Sequence, residues 1–312
     1  MKKVGIIGGA GYIGSYNTRK FLNEGYAVKV STTDISKKEK YEHLAHFPET
    51  QHLEIVQLDV ENTKELFDFL SDCNIVIHGG TPFQIDVKDP QTELLDPTIK
   101  GTENFLEAIK HFPKIEKVIV VASVAAHNTN FPFLPPAKKE GEQFDETDEL
   151  FLSTESHPYS QGKFLANQSV SAFVTANPNV GFEIVSISPV FVFGKALSSR
   201  ADSSSMGLQF FMKNKILTDA FVNMLFEANP LCAIVDVADV AEAVYKAAIT
   251  NGIHGKTYLI SSESYTTSDV HSMLNGHQPK HQAQIVYSSE RAKKELGLHF
   301  KPVNETLRAF SV

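Results

Sequence analysis

Cysteine is scarce in this chain, an excess of basic residues is missing, and no apolar run is long enough to cross a bilayer. The two cysteines among 312 residues, Cys73 and Cys232, stand alone, with neither a C-x-x-C pair nor a histidine cluster beside them. Isolated thiols argue against a disulfide framework and read as small buried hydrophobes. The 29 lysines and arginines are outnumbered by 37 acids, which leaves a net charge of −8. That balance argues against a nucleic-acid partner, which needs a basic face to displace counterions from phosphates. No stretch approaches the roughly 18 apolar residues of a transmembrane helix, so no membrane span is expected. The opening Met1-Lys2-Lys3-Val4 has the charge of a signal peptide, but its apolar run turns at once into glycines at Gly8. The expectation is a cytoplasmic protein. No internal repeat is present. The histidine pairs His43 with His46 and His277 with His281 lack a third ligand in clear context, so they read as surface residues and no metal is expected.

What is present is alternation. Val4 to Ile7 is a continuous apolar run, as in a parallel strand covered on both faces. A helix is expected from Tyr12 to about Gly25, then strands over Ala27 to Ser31 and Leu53 to Leu58. A helix over Thr63 to Leu70, a strand over Ile75 to His78 and a long helix from Pro90 to His111 follow. Strands over Val118 to Ala122 and Phe182 to Ile187 flank a helix over Pro158 to Ala176. This spacing implies βαβ units and an α/β fold, a doubly wound parallel sheet of the Rossmann type. Irregular segments follow, interrupted by Ala233 to Val237, Val240 to Thr250 and Lys256 to Ile260, which read as a return to that sheet. The expected division is a dinucleotide-binding domain over 1–194 and 233–262, with a smaller C-terminal substrate lobe over 195–232 and 263–312.

After the first strand comes Gly8-Gly9-Ala10-Gly11-Tyr12-Ile13-Gly14, which holds G-x-G-x-x-G spacing between a strand and a helix. Glycines there permit a tight turn, let the backbone approach a pyrophosphate, and aim a helix N-terminus at the anion. The alternative is an ordinary tight turn. The second strand ends in Ser31-Thr32-Thr33-Asp34, with Lys37 and Lys38 beyond. With Asp34 past the strand tip, the hydroxyls and lysines suit a 2′-phosphate and NADP(H) is favoured. With Asp34 on the ribose hydroxyls, NAD(H) is favoured instead. With Asp34 as a helix cap, the lysines are simply solvated. Asp59, after the third strand, reads equally as a partner of the adenine amine or as a helix cap.

His157-Pro158-Tyr159-Ser160-Gln161-Gly162-Lys163 opens the long helix and sets Tyr159 and Lys163 four apart on one face. A nearby ammonium, with the positive ring of an oxidised nicotinamide, is expected to lower the phenol's ordinary pKa near 10 and make it an acid–base group. Such a pair is common on helix surfaces. Ser123 adds weight because it ends the fifth strand, and strand C-termini in open α/β sheets face the ligand crevice. Its hydroxyl suits a substrate carbonyl oxygen, or a turn cap.

These residues resemble the extended short-chain dehydrogenase/reductase family, and within it the dihydroflavonol reductase, cinnamoyl-CoA reductase and aldehyde reductase branch. Beyond the glycine loop, Ile75-Val76-Ile77-His78-Gly79-Gly80-Thr81-Pro82, Asp96-Pro97-Thr98-Ile99-Lys100-Gly101-Thr102, Ser188 to Gly194 and Val235 to Ala241 carry the likeness. The resemblance implies Ser123, Tyr159 and Lys163 as catalytic residues. It implies cofactor contacts at Gly8, Gly11, Tyr12, Ile13, Gly14, Thr33, Lys37, Asp59, Val60, Gly79, Thr81, Pro189 and Val192, besides Tyr159 and Lys163. Asn128 falls where flavonoid reductases place a substrate asparagine. Thr33 stands where the branch usually carries an arginine for the 2′-phosphate, so Lys37 or Lys38 would have to substitute. The implied activity is reduction of a ketone or aldehyde of a small organic substrate, with a homodimer as an option. Two other readings share the fold: a nucleotide-sugar epimerase or dehydratase with tightly held NAD, and a dinucleotide sensor without turnover. Arg200 is the only arginine between Ala196 and Leu231, which counts against a nucleoside-diphosphate site there. Retention of the tyrosine, lysine and serine counts against a sensor.

Overall fold

The computed structural model describes residues 1–79, 89–139, 141–200 and 203–311. Among them, seven strands form one parallel sheet. They are β1 (Lys3–Ile7), β2 (Ala27–Thr32), β3 (Leu53–Gln57), β4 (Ile75–His78), β5 (Lys117–Val121), β6 (Glu183–Pro189) and, after the two strands β7 (Phe191–Phe193) and β8 (Leu231–Asp236), β9 (Thr257–Ile260). The order is β3-β2-β1-β4-β5-β6-β9. The register pairs Ile7 with His78, His78 with Val120 and Val121 with Ile187, so these strand ends lie side by side.

Strand periodicity sorts the side chains onto two faces. Val4, Ile6, Ile75, Ile77, Ile119, Val121, Val185 and Ile187 join one core with helices α1 (Tyr12–Asn23) and α7 (Val237–Ile249). Ile7, Val76, Val118 and Ile184 face the other way, onto α2 (Thr63–Leu70), α3 (Asp96–Ile109) and α4 (Pro158–Ala176). Both faces are therefore covered, which is why the strands read as unbroken apolar runs. The long helix expected from Pro90 starts as a wider π-type turn over Gln91–Leu95 before α3 takes over.

One strand departs from expectation. Residues Leu231–Asp236 do not return to the central sheet: β8 pairs in parallel with β7 and antiparallel with β10 (Glu263–Thr266) in a separate sheet. The reason lies in its two apolar faces. Ala233 and Val235 belong to the core under α1 and α7, whereas Cys232 and Ile234 belong to a third core. That third core is built with Met212 of α5 (Ser204–Asn214), Leu225 of α6 (Ala220–Ala228), Val270 of α8 (Thr267–Leu274) and Leu307 of α10 (Val303–Ser311). A strand apolar on both faces needs two cores, and periodicity does not say which sheet supplies the neighbours. The remaining helix, α9 (Glu290–Leu296), buries Ala292 and Leu296 on the first core. Among the described residues no helix is long and apolar enough to cross a membrane.

The strand order reverses between β1 and β4, which opens a crevice above their C-terminal ends, the usual ligand position in such sheets. At the opposite end of the sheet, buried Lys29 of β2 donates to Asp72 Oδ1 at 2.5 Å and to the Phe69 carbonyl at 3.2 Å, and Lys3 pairs with the other oxygen of Asp72. Removing the carboxylate would strand a buried ammonium. We expect Asp72→Ala to cost about 1–3 kcal/mol in denaturant unfolding, and Lys29→Met in the same chain to recover part of it.

Candidate active site

The first turn above the crevice is set by a steric constraint. Gly8 has φ +79°, and its carbonyl accepts from Gly11 N at 3.0 Å. A Cβ on Gly14 would stand 2.0 Å from the Gly8 carbonyl oxygen. Only glycine lets the first turn of α1 press this close to the strand. Ser31 Oγ accepts from Gly8 N at 3.0 Å, and Thr18 Oγ1 donates to the Gly9 carbonyl at 2.9 Å, so the loop is fastened from β2 and from its own helix.

A cleft of about 420 Å³ runs along the strand ends. Its lining includes Gly8, Ala10 and Gly11 after β1, Ser31, Thr32 and Thr33 at the end of β2, and Asp59, Val60 and Glu61 after β3. His78 and Gly79 from β4 and Thr98 and Gly101 from α3 close it on the other side. Of the residues expected at a cofactor, Gly8, Gly11, Thr33, Asp59, Val60 and Gly79 line this cleft. Gly14 acts from beneath, through its contact with Gly8. Tyr12 turns toward the small lobe and donates to the Gly194 carbonyl at 2.8 Å. Tyr12, Ile13, Pro189 and Val192 lie outside the lining, and Val192 is buried in the first core. Thr81 falls outside the described residues.

At the β2 end, Asp34 is bound into its own turn: Oδ1 accepts from Ser36 N at 3.0 Å and Ser36 Oγ at 2.6 Å, and Lys37 stands 3.5 Å from Oδ2. These bonds, chiefly from Ser36, hold the Asp34 carboxyl below its ordinary pKa. Neither Asp34 nor Lys37 lines the cleft; Lys40 and Arg200 do. Asp59 lines the cleft, and its Oδ1 accepts from Glu61 N at 3.0 Å in the turn before α2; the cap of that helix is Asn62, whose side chain accepts from Lys64 N and Glu65 N, so the helix-cap reading of Asp59 does not hold.

Ser123, Tyr159 and Lys163 meet one strand further on. Ser123 follows β5 and caps the short turn Val124–Ala126, its Oγ accepting from Ala125 N at 3.2 Å. The His157 ring caps α4 by accepting from Tyr159 N at 3.2 Å, with Pro158 in the first turn, where a missing N–H is harmless. The Tyr159 phenol stands beside the Ser123 hydroxyl. Lys163 Nζ lies 5.9 Å from the centroid of the Tyr159 ring. Burial pushes the phenol up to about 12, with the Ser123 bond opposing, and brings the Lys163 ammonium down to about 8. In the chain by itself desolvation is the leading cause in both groups, raising the phenol and lowering the ammonium.

Asn128 is fully buried away from the cleft. Its amide nitrogen donates to the Phe133 carbonyl and to Tyr287 Oη, each at 2.7 Å, and its oxygen accepts from Asn130 N at 3.0 Å. Its bonds hold the 128–134 turn, and the structure does not bring it to the site.

Three residues that line the cleft were given no cofactor role by the sequence. Arg200 and Lys40 carried no motif. His78 lies inside the family-like segment, yet its side chain is buried against Phe105, with ring centroids 4.5 Å apart. Burial, with the Lys163 charge adding to it, holds the His78 imidazole down at about 4, so it is neutral at physiological pH. His78 Nε2 and Thr98 Oγ1 are buried without a hydrogen-bond partner among the described residues, and both residues line the cleft. Unpaired buried polar atoms are costly. Together with the Gly8–Gly14 cradle they fit a polar ligand such as a dinucleotide. Among the described residues no three His, Cys, Asp or Glu side chains form a metal-holding group.

Comparisons with known proteins agree with this geometry. A model of the NAD dependent epimerase/dehydratase family matches residues 4–261. A cinnamoyl-CoA reductase of Medicago truncatula is 27% identical over 97% of this chain and 92% of its own length. An anthocyanidin reductase of Vitis vinifera is 24% identical over 95% of this chain and 90% of its own. Among solved structures, a yeast methylglyoxal/isovaleraldehyde reductase complexed with NADPH superposes with a TM-score of 0.81 at 23% identity, covering 99% of this chain and 97% of that one.

Gly14→Ala tests the cradle. The Cβ forces the loop open, and calorimetric titration should show dinucleotide affinity falling at least about tenfold.

Proposed function

The chain belongs to the NAD dependent epimerase/dehydratase family and is an NAD(P)-dependent oxidoreductase, and from that premise we propose that it reduces the ketone or aldehyde of a small organic substrate. The observation that carries this reading is the meeting of Tyr159 with Ser123 at the end of β5, with Lys163 Nζ 5.9 Å from the centroid of the same ring. When bound, a reduced nicotinamide would supply the hydride for the carbonyl carbon. Tyr159 gives its proton to the carbonyl oxygen, so hydride and proton together make the alcohol. Ser123 orients that oxygen and shares its growing negative charge. Lys163 keeps a positive charge close to the phenol as the proton leaves and is placed to bind a ribose hydroxyl.

Burial suits this direction of reaction. A phenol held up at about 12 is protonated at neutral pH and ready to act as an acid. Lys163, held near 8, is charged below that pH and loses its charge above it. The adenosine end supports NADP(H) over NAD(H): the acid that would meet ribose hydroxyls, Asp34, is occupied by Ser36 and Lys37, and Lys40 lines the cleft instead. A cytoplasmic setting belongs to the same reading, supported by the buried free thiols of Cys73 and Cys232.

Tyr159→Phe should lower kcat by about 100-fold or more while the dissociation constant for NADPH stays within about twofold. Normal turnover by that variant in a carbonyl panel, followed by nicotinamide absorbance, would refute the assignment. The pH profile of kcat/KM for the cofactor, which reports the free enzyme, should be flat up to neutrality and fall through a limb near 8 as Lys163 deprotonates. Lys163→Arg should remove that limb, because arginine stays protonated.

A further inference from the structure

We propose that Arg200, carried by the segment that follows β7, is the residue that selects the cofactor: its guanidinium grips a phosphomonoester on the adenosine ribose, with Lys40 as its partner. This rests on the NADP(H) part of the reading above and gives it an anchor that comes from outside the central sheet.

The chain's path brings Arg200 there. Gly194, at φ +133°, turns the backbone after β7. Tyr12 Oη donates to the Gly194 carbonyl at 2.8 Å and Tyr16 Oη to the Lys195 carbonyl at 2.7 Å, while the Gln209 side chain accepts from Gly194 N at 2.9 Å. These bonds fasten the start of the segment to α1, directly behind the glycine loop. Six residues past Gly194, Arg200 Nη1 donates to the Lys40 carbonyl at 2.8 Å and to the Ala10 carbonyl at 3.5 Å. The guanidinium thereby bridges the loop that meets a pyrophosphate and the turn that follows β2, and it lines the cleft beside Ser31, Thr32, Thr33 and Lys40.

Ribose hydroxyls of a bound dinucleotide lie off the tip of the second strand. A 2′-phosphate would extend from there into the space that Arg200 and Lys40 border. The guanidinium's planar fork of donors matches phosphate oxygens two at a time, the ammonium adds a point charge, and the three hydroxyl side chains add further donors. The carboxylates in the same cleft, Asp59 and Glu61, follow β3 instead.

The test uses the full chain and calorimetric titration with four probes: NADPH, NADH, 2′,5′-ADP and 5′-AMP. Arg200→Ala should weaken NADPH and 2′,5′-ADP by about 10- to 100-fold and leave NADH and 5′-AMP within about twofold. Arg200→Lys should recover part of the loss, and it serves as the reading variant where Arg200→Ala melts early. Equal weakening of all four probes would overturn the proposal, because Arg200 would then only brace the glycine loop; so would no weakening at all. The adenosine fragments carry no nicotinamide, so their result stands whether or not Tyr159 proves catalytic. A wild-type chain that binds 5′-AMP as tightly as 2′,5′-ADP would overturn both this proposal and the NADP(H) preference, and would leave carbonyl reduction with NADH intact.

Discussion

Everything above the sheet depends on how closely α1 is seated on β1. The Gly8 carbonyl lies where a Cβ of residue 14 would be, at 2.0 Å. That approach aims the free N–H groups at the start of α1 into the crevice, where the strand order reverses. It also sets Tyr12 and Tyr16, one turn apart, to reach the backbone of Gly194 and Lys195. The same helix thus braces the glycine loop that lines the cleft and holds the segment that carries Arg200. Loosening the contact would disturb the anion site and the link between the two sheets together.

Desolvation is the second organising influence. Lys163 is buried and Tyr159 half-buried, and burial moves each toward its uncharged form. The phenol stays a proton donor over the whole physiological range, while the ammonium stays charged only on its acid side. A neutral, buried His78 beside them adds no charge of its own. Among the described residues, His78 Nε2 and Thr98 Oγ1 are buried without a partner in residues that line the cleft.

Much of this was legible in the sequence because it is local. A parallel strand covered on both faces is an apolar run, a helix shows its period, and a glycine turn between them has few alternatives. Hence β1, β4, α2 and α4 fall where periodicity puts them, and Ser123 lands at a strand end beside Tyr159. Fold class was readable on these terms, and so was the meeting of Ser123, Tyr159 and Lys163. The misreadings are non-local. Asn128 has the residue type of a substrate ligand, but Tyr287, 159 positions later, takes its amide. Strand β8 has the pattern of a central strand and joins the other sheet.

By itself, then, the sequence determined the doubly wound sheet, the glycine cradle and the spacing of Tyr159 and Lys163, since each follows from neighbours within about one or two helical turns. Tertiary structure alone decided which way β8 pairs, how burial rather than charge sets the protonation of the catalytic pair, and that Arg200 reaches the Lys40 carbonyl across 160 positions. The physical reason is shared by all three. Solvent exclusion and long-range hydrogen bonds depend on which surfaces the folded chain brings together, and no local pattern of residue types encodes that meeting.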